Sequence, residues 1–175
     1  MDLDCTLIPP ALTHTPTVVF LRGRGDNAKD FSYSLAFSPI SEDRSLTEVF
    51  PTFHCVLPSS ELRPCPMDHG RKWSQWFDVW DTTHFQVRED LQAVGLRESV
   101  LGIRNILMKE IALLDGQSHR IILMGISQGA ATSVHTLLNL DVPDQSTTPR
   151  RLGALLGFSC RMPFLERTLA GMRCA

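Results

Sequence analysis

The sequence predicts an α/β fold in which a mostly parallel sheet is flanked by helices. Three observations lead there. Short apolar runs rich in β-branched residues recur at 17–21, 50–57, 120–124 and 152–158, and each reads as a buried strand. Helical stretches separate them, and strands that alternate with helices pair in parallel through crossovers. Third, the pentapeptide Gly125-Ile126-Ser127-Gln128-Gly129 sits at the junction of one such strand and one such helix.

Taken in chain order, residues 1–16 read as a loose N-terminal arm, broken by Pro9, Pro10 and Pro16. Thr17-Val18-Val19-Phe20-Leu21 is the first strand, and it runs into the glycine-rich turn Arg22-Gly23-Arg24-Gly25-Asp26. Asp30 is placed to cap a helix through about Phe37. Phe50 to Leu57 is the second strand, with Pro51 near its start. Pro58 to Lys72 is a Pro- and Gly-punctuated loop, either a lid or a solvated connection. Val100, Ile103, Leu107, Ile111 and Leu114 recur at helical spacing and predict a helix over 97–115, with Gly116 placed to end it. Arg120 to Met124 is the next strand, Ala130 to Leu138 the next helix, Asp141 to Arg151 a polar loop, and Leu152 to Phe158 the last strand. One domain is expected over 17–164, followed by an atypical tail at 165–175.

Bulk properties exclude several classes. A net charge of −2, with charges spread along the chain and no basic run, argues against nucleic acid as a partner. No apolar stretch approaches the length that spans a bilayer. The acidic start Met1-Asp2-Leu3-Asp4 lacks the charge pattern of a secretory leader. Five cysteines without repeated spacing fit reduced thiols in the cytoplasm, or the nucleus, better than a disulfide framework. His54, Cys55, Cys65 and His69 lack the spacing of a zinc module, so no metal is expected. Arg24-Gly25-Asp26 spells an adhesion tripeptide, but an intracellular turn explains it.

Strand, G-x-S-x-G and helix together form the nucleophile elbow of an α/β-hydrolase. The tight turn needs Gly125 and Gly129 where a side chain would meet neighbouring backbone. It lifts the Ser127 hydroxyl out of the sheet and aims the Gln128 N–H at a developing oxyanion. More of the chain resembles the phospholipase/carboxylesterase family that includes the acyl-protein thioesterases. Thr17 to Asp26 is similar to that family's first strand and F-L-H-G-x-G-D turn. Trp76-Phe77-Asp78 is similar to its W-F-D, Arg120 to Ala130 to its R-I-x-L-x-G-F-S-Q-G-G, and Gly157 to Pro163 to its G-x-S-C-x-x-P. The resemblance implies a cofactor-free serine hydrolase acting on an acylated protein or a small ester. Ser127 would be the nucleophile, and the backbone N–H groups of Gln128 and Arg24 the oxyanion donors. Trp76 and Phe77 either line an acyl pocket or fill core, and Asp78 takes a structural hydrogen bond.

The chain departs from that pattern in two places. Arg22 and Arg24 stand where the family has a histidine and an apolar residue. In this fold the acid and then the histidine follow the serine in chain order, and neither is found here. After Ser127 only Asp141, Asp144, Glu166 and His135 are candidates. His135 lies about 12 Å along the helix at 1.5 Å per residue, far beyond hydrogen-bond reach. The expectation is therefore an α/β-hydrolase fold incomplete at the C-terminus, from a truncated or misannotated product, with impaired hydrolysis. The alternative is an inactive remnant that binds acyl ligands or a partner. A third reading, a Rossmann-like binding domain, lacks the third glycine of its fingerprint, because position 28 is Ala.

Overall fold

A computed structural model describes residues 2–25, 27–37, 43–141 and 151–168. The elements are β1 (Cys5–Ile8), β2 (Thr17–Leu21), α1 (Ala28–Phe37), α2 (Leu46–Val49), β3 (His54–Pro58), β4 (Leu62–Pro64), β5 (Lys72–Ser74), α3 (Gln92–Leu113), β6 (Ile121–Ile126), α4 (Gln128–Leu138) and β7 (Ala154–Phe158). Five strands form one sheet in the order β1-β3-β2-β6-β7, while β4 and β5 make a separate antiparallel pair. The pairs β2–β3, β2–β6 and β6–β7 are parallel, and β1 runs antiparallel to β3.

The central strands are apolar on both faces, as parallel strands covered on both sides must be. Val19, Leu21, Val56, Ile121 and Leu123 pack with Leu96, Val100, Ile103, Leu107 and Ile111 of α3 in the main core. The alternate residues Val18, Phe20, Cys55, Ile122, Met124 and Leu156 face the other way. They line an apolar cavity of about 270 Å³ that also touches Leu35 and Leu46 of the two short helices. Gly116, at φ +79°, returns its N–H to the Ile111 carbonyl at 2.9 Å and closes the end of α3.

Several expectations need correction. Residues 1–16 are not a loose arm throughout, because Cys5–Ile8 pairs with Cys55 to Pro58 and Leu3 packs on the main core. Alternation of exposed and half-buried residues in that strand was masked by the nearby prolines. The strand expected from Phe50 starts only at His54, since Pro51-Thr52 form a turn. The loop 58–72 carries β4 and leads into β5, so part of it is ordered by pairing. The long helix starts five residues before its expected N-terminus. Asp26, residues 142–150 of the polar loop with Asp144, and residues 169–175 of the tail with Cys174 lie outside the described residues.

At the N-terminal ends of the parallel strands lies a half-buried polar cluster. His14 Nε2 is 2.9 Å from Thr17 Oγ1, and the Thr17 hydroxyl donates to Glu110 Oε2 at 3.2 Å. His54 meets the His14 ring edge-on at 5.3 Å. Burial, helped by the neighbouring His54, holds His14 below the usual imidazole value of 6.5. Burial likewise depresses His135, which bonds the Pro163 carbonyl at 3.1 Å. A histidine depressed in the folded state stabilises above its unfolded pKa, and that stability is lost as pH falls through the folded value. The melting temperature should therefore drop between pH 7.5 and 5.5, before ordinary carboxylates titrate. His135→Gln should flatten that drop in a thermal melt series; an unchanged slope would contradict the assignment.

Candidate active site

The carboxyl ends of β2, β6 and β7 come together at one edge of the sheet. Leu21 pairs with Gly125, and Gly125 with Gly157. Loops at the carboxyl ends of parallel strands are where α/β sheets open a crevice. Here they deliver Gly23-Arg24 from β2, Ser127 from β6 and Ser159 from β7. A cleft of about 240 Å³ forms between them, and Ser127, Gln128, Arg24 and Ser159 all line it.

Ser127 occupies the corner between β6 and α4 with φ +54° and ψ −119°. A non-glycine residue there stores roughly 1–3 kcal/mol of backbone strain and persists only where its surroundings over-determine it. They do so here. The Ser127 N–H donates to the Phe158 carbonyl at 2.8 Å, and the Ala131 N–H donates to the Ser127 carbonyl at 3.2 Å. The flanking glycines permit the close approach. A Cβ on Gly125 would sit 2.5 Å from the Gly129 carbonyl oxygen and 2.6 Å from Ala130. One on Gly129 would run into the Leu21 and Arg22 carbonyl oxygens. Gly23 passes so near that its Cβ position is 3.6 Å from Ser127 Cβ. Ser127 is left exposed at the mouth of the cleft.

The Gln128 side chain points away from the cleft and ties the corner down. Its Oε1 accepts from the Trp76 N–H at 2.8 Å and its Nε2 donates to the Phe77 carbonyl at 2.7 Å. The Trp76 indole donates to the Arg22 carbonyl at 2.9 Å, and the Ser99 hydroxyl to the Trp76 carbonyl at 2.6 Å. Trp76 and Phe77 are fully buried in the main core. Neither lines the Ser127 cleft among the described residues, and their burial fits the core-packing expectation. Large aromatic side chains suit either role, and the backbone bonds to Gln128 hold both in the core. Asp78 takes a hydrogen bond from Gln75 Nε2 at 3.2 Å, and burial raises its pKa.

The two unusual arginines of the first turn behave differently. Arg22 is 1% exposed. It donates to the Gly23 carbonyl and to Ser60 Oγ, both at 2.8 Å, and to Ser74 Oγ. It thereby fastens the turn to the segments after β3 and in β5. Arg24 points into the cleft wall and sits over the Trp73 ring at 4.9 Å. Val79, Thr82 and Phe85 supply much of the remaining wall. The loop carrying Thr82 is shaped by Asp81, which accepts from the Thr83 and His84 N–H groups at 2.7 and 2.9 Å. Sequence reasoning missed this loop and Arg161 as wall elements, because only tertiary contact brings them to Ser127.

Among the described residues nothing hydrogen-bonds the Ser127 hydroxyl. His135 is engaged with Pro163 on α4. Asp141 and Glu166 are exposed and outside the cleft, and no described His, Asp or Glu lines it.

A serine held at a strained strand-to-helix corner over a mostly parallel sheet defines the α/β-hydrolase fold. A profile of the phospholipase/carboxylesterase family matches residues 4–172, and the chain belongs to that family. Acyl-protein thioesterase 1 of Cryptococcus neoformans var. neoformans serotype D is 29% identical over 166 residues, covering 94% of this chain and 62% of that protein. Acyl-protein thioesterase 1 of Schizosaccharomyces pombe is 27% identical over 165 residues, covering 94% and 64%. The chain thus spans less than two thirds of the length of these curated relatives. Among solved structures, Zea mays acyl-protein thioesterase 2 superposes with a TM-score of 0.70 at 23% identity, covering 98% of this chain and 68% of the other. Esterase PE8 gives 0.68 at 23%, covering 97% and 69%. These two likenesses concern the fold.

The Gln128 amide satisfies two buried backbone groups, and each would cost about 1–3 kcal/mol if left unpaired. Gln128→Leu should therefore lower unfolding stability by about 2–6 kcal/mol. Denaturant titration measures it, and a loss under about 0.5 kcal/mol, the size of a neutral surface change, would show that the clamp is idle.

Proposed function

We propose that this chain carries the nucleophilic half of a serine hydrolase cleaving carboxylic esters or thioesters. The observation that supports it best is Ser127 at φ +54°, exposed in a cleft shared with Gln128 and Arg24. In the reaction the Ser127 oxygen bonds to the acyl carbon, and the alcohol or thiol leaves with a proton. Water then attacks the acyl-serine, releases the carboxylic acid and restores the hydroxyl. The backbone N–H groups of Gln128 and Arg24 are assigned to the oxyanion that forms in each step. The glycines at 125 and 129 hold the corner on which this geometry depends. No metal or cofactor has a part in these steps.

Acylated proteins are the substrates that the names of the relatives suggest, alongside small esters. A cytosolic or nuclear setting fits the free thiols of Cys5, Cys55, Cys65 and Cys160. No described helix is long and apolar enough to cross a membrane.

A serine hydroxyl without a base is a weak nucleophile. The described residues supply none, and binding with the oxyanion hole alone gives about 10³–10⁴-fold over water. The same observation supports the second reading, a fragment that binds acyl ligands or a partner without turnover.

Hydrolysis of p-nitrophenyl butyrate by the chain should exceed that of buffer and disappear in Ser127→Ala. Equal rates in the two proteins would refute Ser127 as nucleophile. Rapid, stoichiometric labelling by a fluorophosphonate, lost in Ser127→Ala, would refute the impairment.

A further inference from the structure

Among the described residues the Ser127 cleft is lined by two guanidinium groups and no carboxylate. Arg24 and Arg161 both line it, with no described Asp or Glu in its wall. Arg24 is held over Trp73 at 4.9 Å, a contact that positions the cation without neutralising it. Its Nη1 is closed off from solvent, and no described residue accepts from it. Arg161 is braced by donating to the Thr82 carbonyl at 2.6 Å and by the Phe85 ring at 5.8 Å. The ion pairs among described residues engage other cations: Arg63 with Glu61 and Glu98, Arg88 with Asp90, and Lys109 with Asp2.

Two positive charges with no described counter-charge in a partly enclosed crevice repel each other and favour an anion. A guanidinium presents its donors in a planar fork that matches a carboxylate. A wholly apolar cavity lies against the other face of the sheet and shares no lining residue with the Ser127 cleft. An uncharged acyl chain at Ser127 could lie against Val79 and Phe85 but would leave both cations without a described counter-charge.

We propose that the Ser127 cleft selects esters or thioesters bearing a carboxylate near the scissile bond, with Arg24 as the specificity-determining side chain and Arg161 as the second donor. This rests on the hydrolase reading above. The charge can be carried on the acyl side or on the leaving-group side, and the recognising chemistry is the same.

The test uses the full chain as Ser127→Ala, which keeps esters intact during binding. Calorimetry at low salt compares monomethyl glutarate, charged on the acyl side, butyryloxyacetate, charged on the alcohol side, and neutral methyl butyrate. At least one anionic ester should bind about tenfold or more tighter than methyl butyrate, as expected for charge-assisted hydrogen bonds. The tighter of the two identifies the side that carries the charge. Adding Arg24→Met should bring the affinity ratio close to one, and Arg24→Lys should restore part of it. Raising ionic strength should weaken only the anions, a readout that holds even if Arg24→Met folds poorly. Equal affinities for all three esters, or an anion preference that survives Arg24→Met together with Arg161→Met, would overturn the proposal. Ser127-dependent hydrolysis of p-nitrophenyl butyrate without anion preference would sink this inference alone. Anion preference without Ser127-dependent hydrolysis would sink the hydrolase reading alone.

Discussion

The close packing of backbone at the β6–α4 corner is the constraint on which the rest of the molecule depends. Strand, helix and the end of β2 approach to contact there because positions 125 and 129 carry no side chain. A single Cβ at either place would overlap neighbouring main chain. Strain at Ser127 is retained because three hydrogen-bonded connections hold it: one to β7, one within α4, and the Gln128 amide to the Trp76-Phe77 backbone. Those connections tie the corner to the core under α3, so the stability of the core and the exposure of one hydroxyl are parts of the same structure. Trp76 shows this most directly, since its indole, its N–H and its carbonyl each serve a different segment.

Charge is distributed around that corner in two ways. The Arg22 guanidinium is almost wholly enclosed and spends its donors on a carbonyl and two serine hydroxyls, which makes it a fastener for the turn. Two positions later Arg24 stacks on an indole, lines the cleft with Ser127, and has a buried Nη1 from which no described residue accepts. Gly23, between them, passes Ser127 at ordinary contact distance, 3.6 Å from its Cβ position to Ser127 Cβ. The same short turn thus combines a structural cation with a cation that lines the cleft.

The sheet is asymmetric in its cover. The face toward α3 is filled by a continuous apolar core. The opposite face keeps a cavity under α1 and α2, and among the described residues β7 pairs only with β6. Leu156 and Phe158 on β7 are 42% and 48% exposed. Such an apolar edge is a template for further pairing, and it is the part of the fold least supported by the described residues.

How much of this could be read without coordinates differs by element. The first and last parallel strands, the long helix and the corner motif were legible, because their signals are local: β-branched runs, a repeat of three to four, and glycines flanking a serine. The N-terminal strand Cys5–Ile8 and the hairpin of β4 with β5 were not, because short edge strands among prolines acquire their conformation from partners distant in sequence. Aromatic residues at 76 and 77 announced burial, and the long-range bonds from Gln128 and Ser99 that hold their backbone in the core are visible only in the fold. The arginine at 24 was legible as a departure, but its stacking on Trp73 and its meeting with Arg161 arise from the folded arrangement. Sequence by itself determined the architecture and the serine at its corner, since both follow from periodicity and steric need over a few residues. Tertiary structure alone decided the walls and charge of the cleft, because these are set by chain segments that meet only after the sheet has assembled.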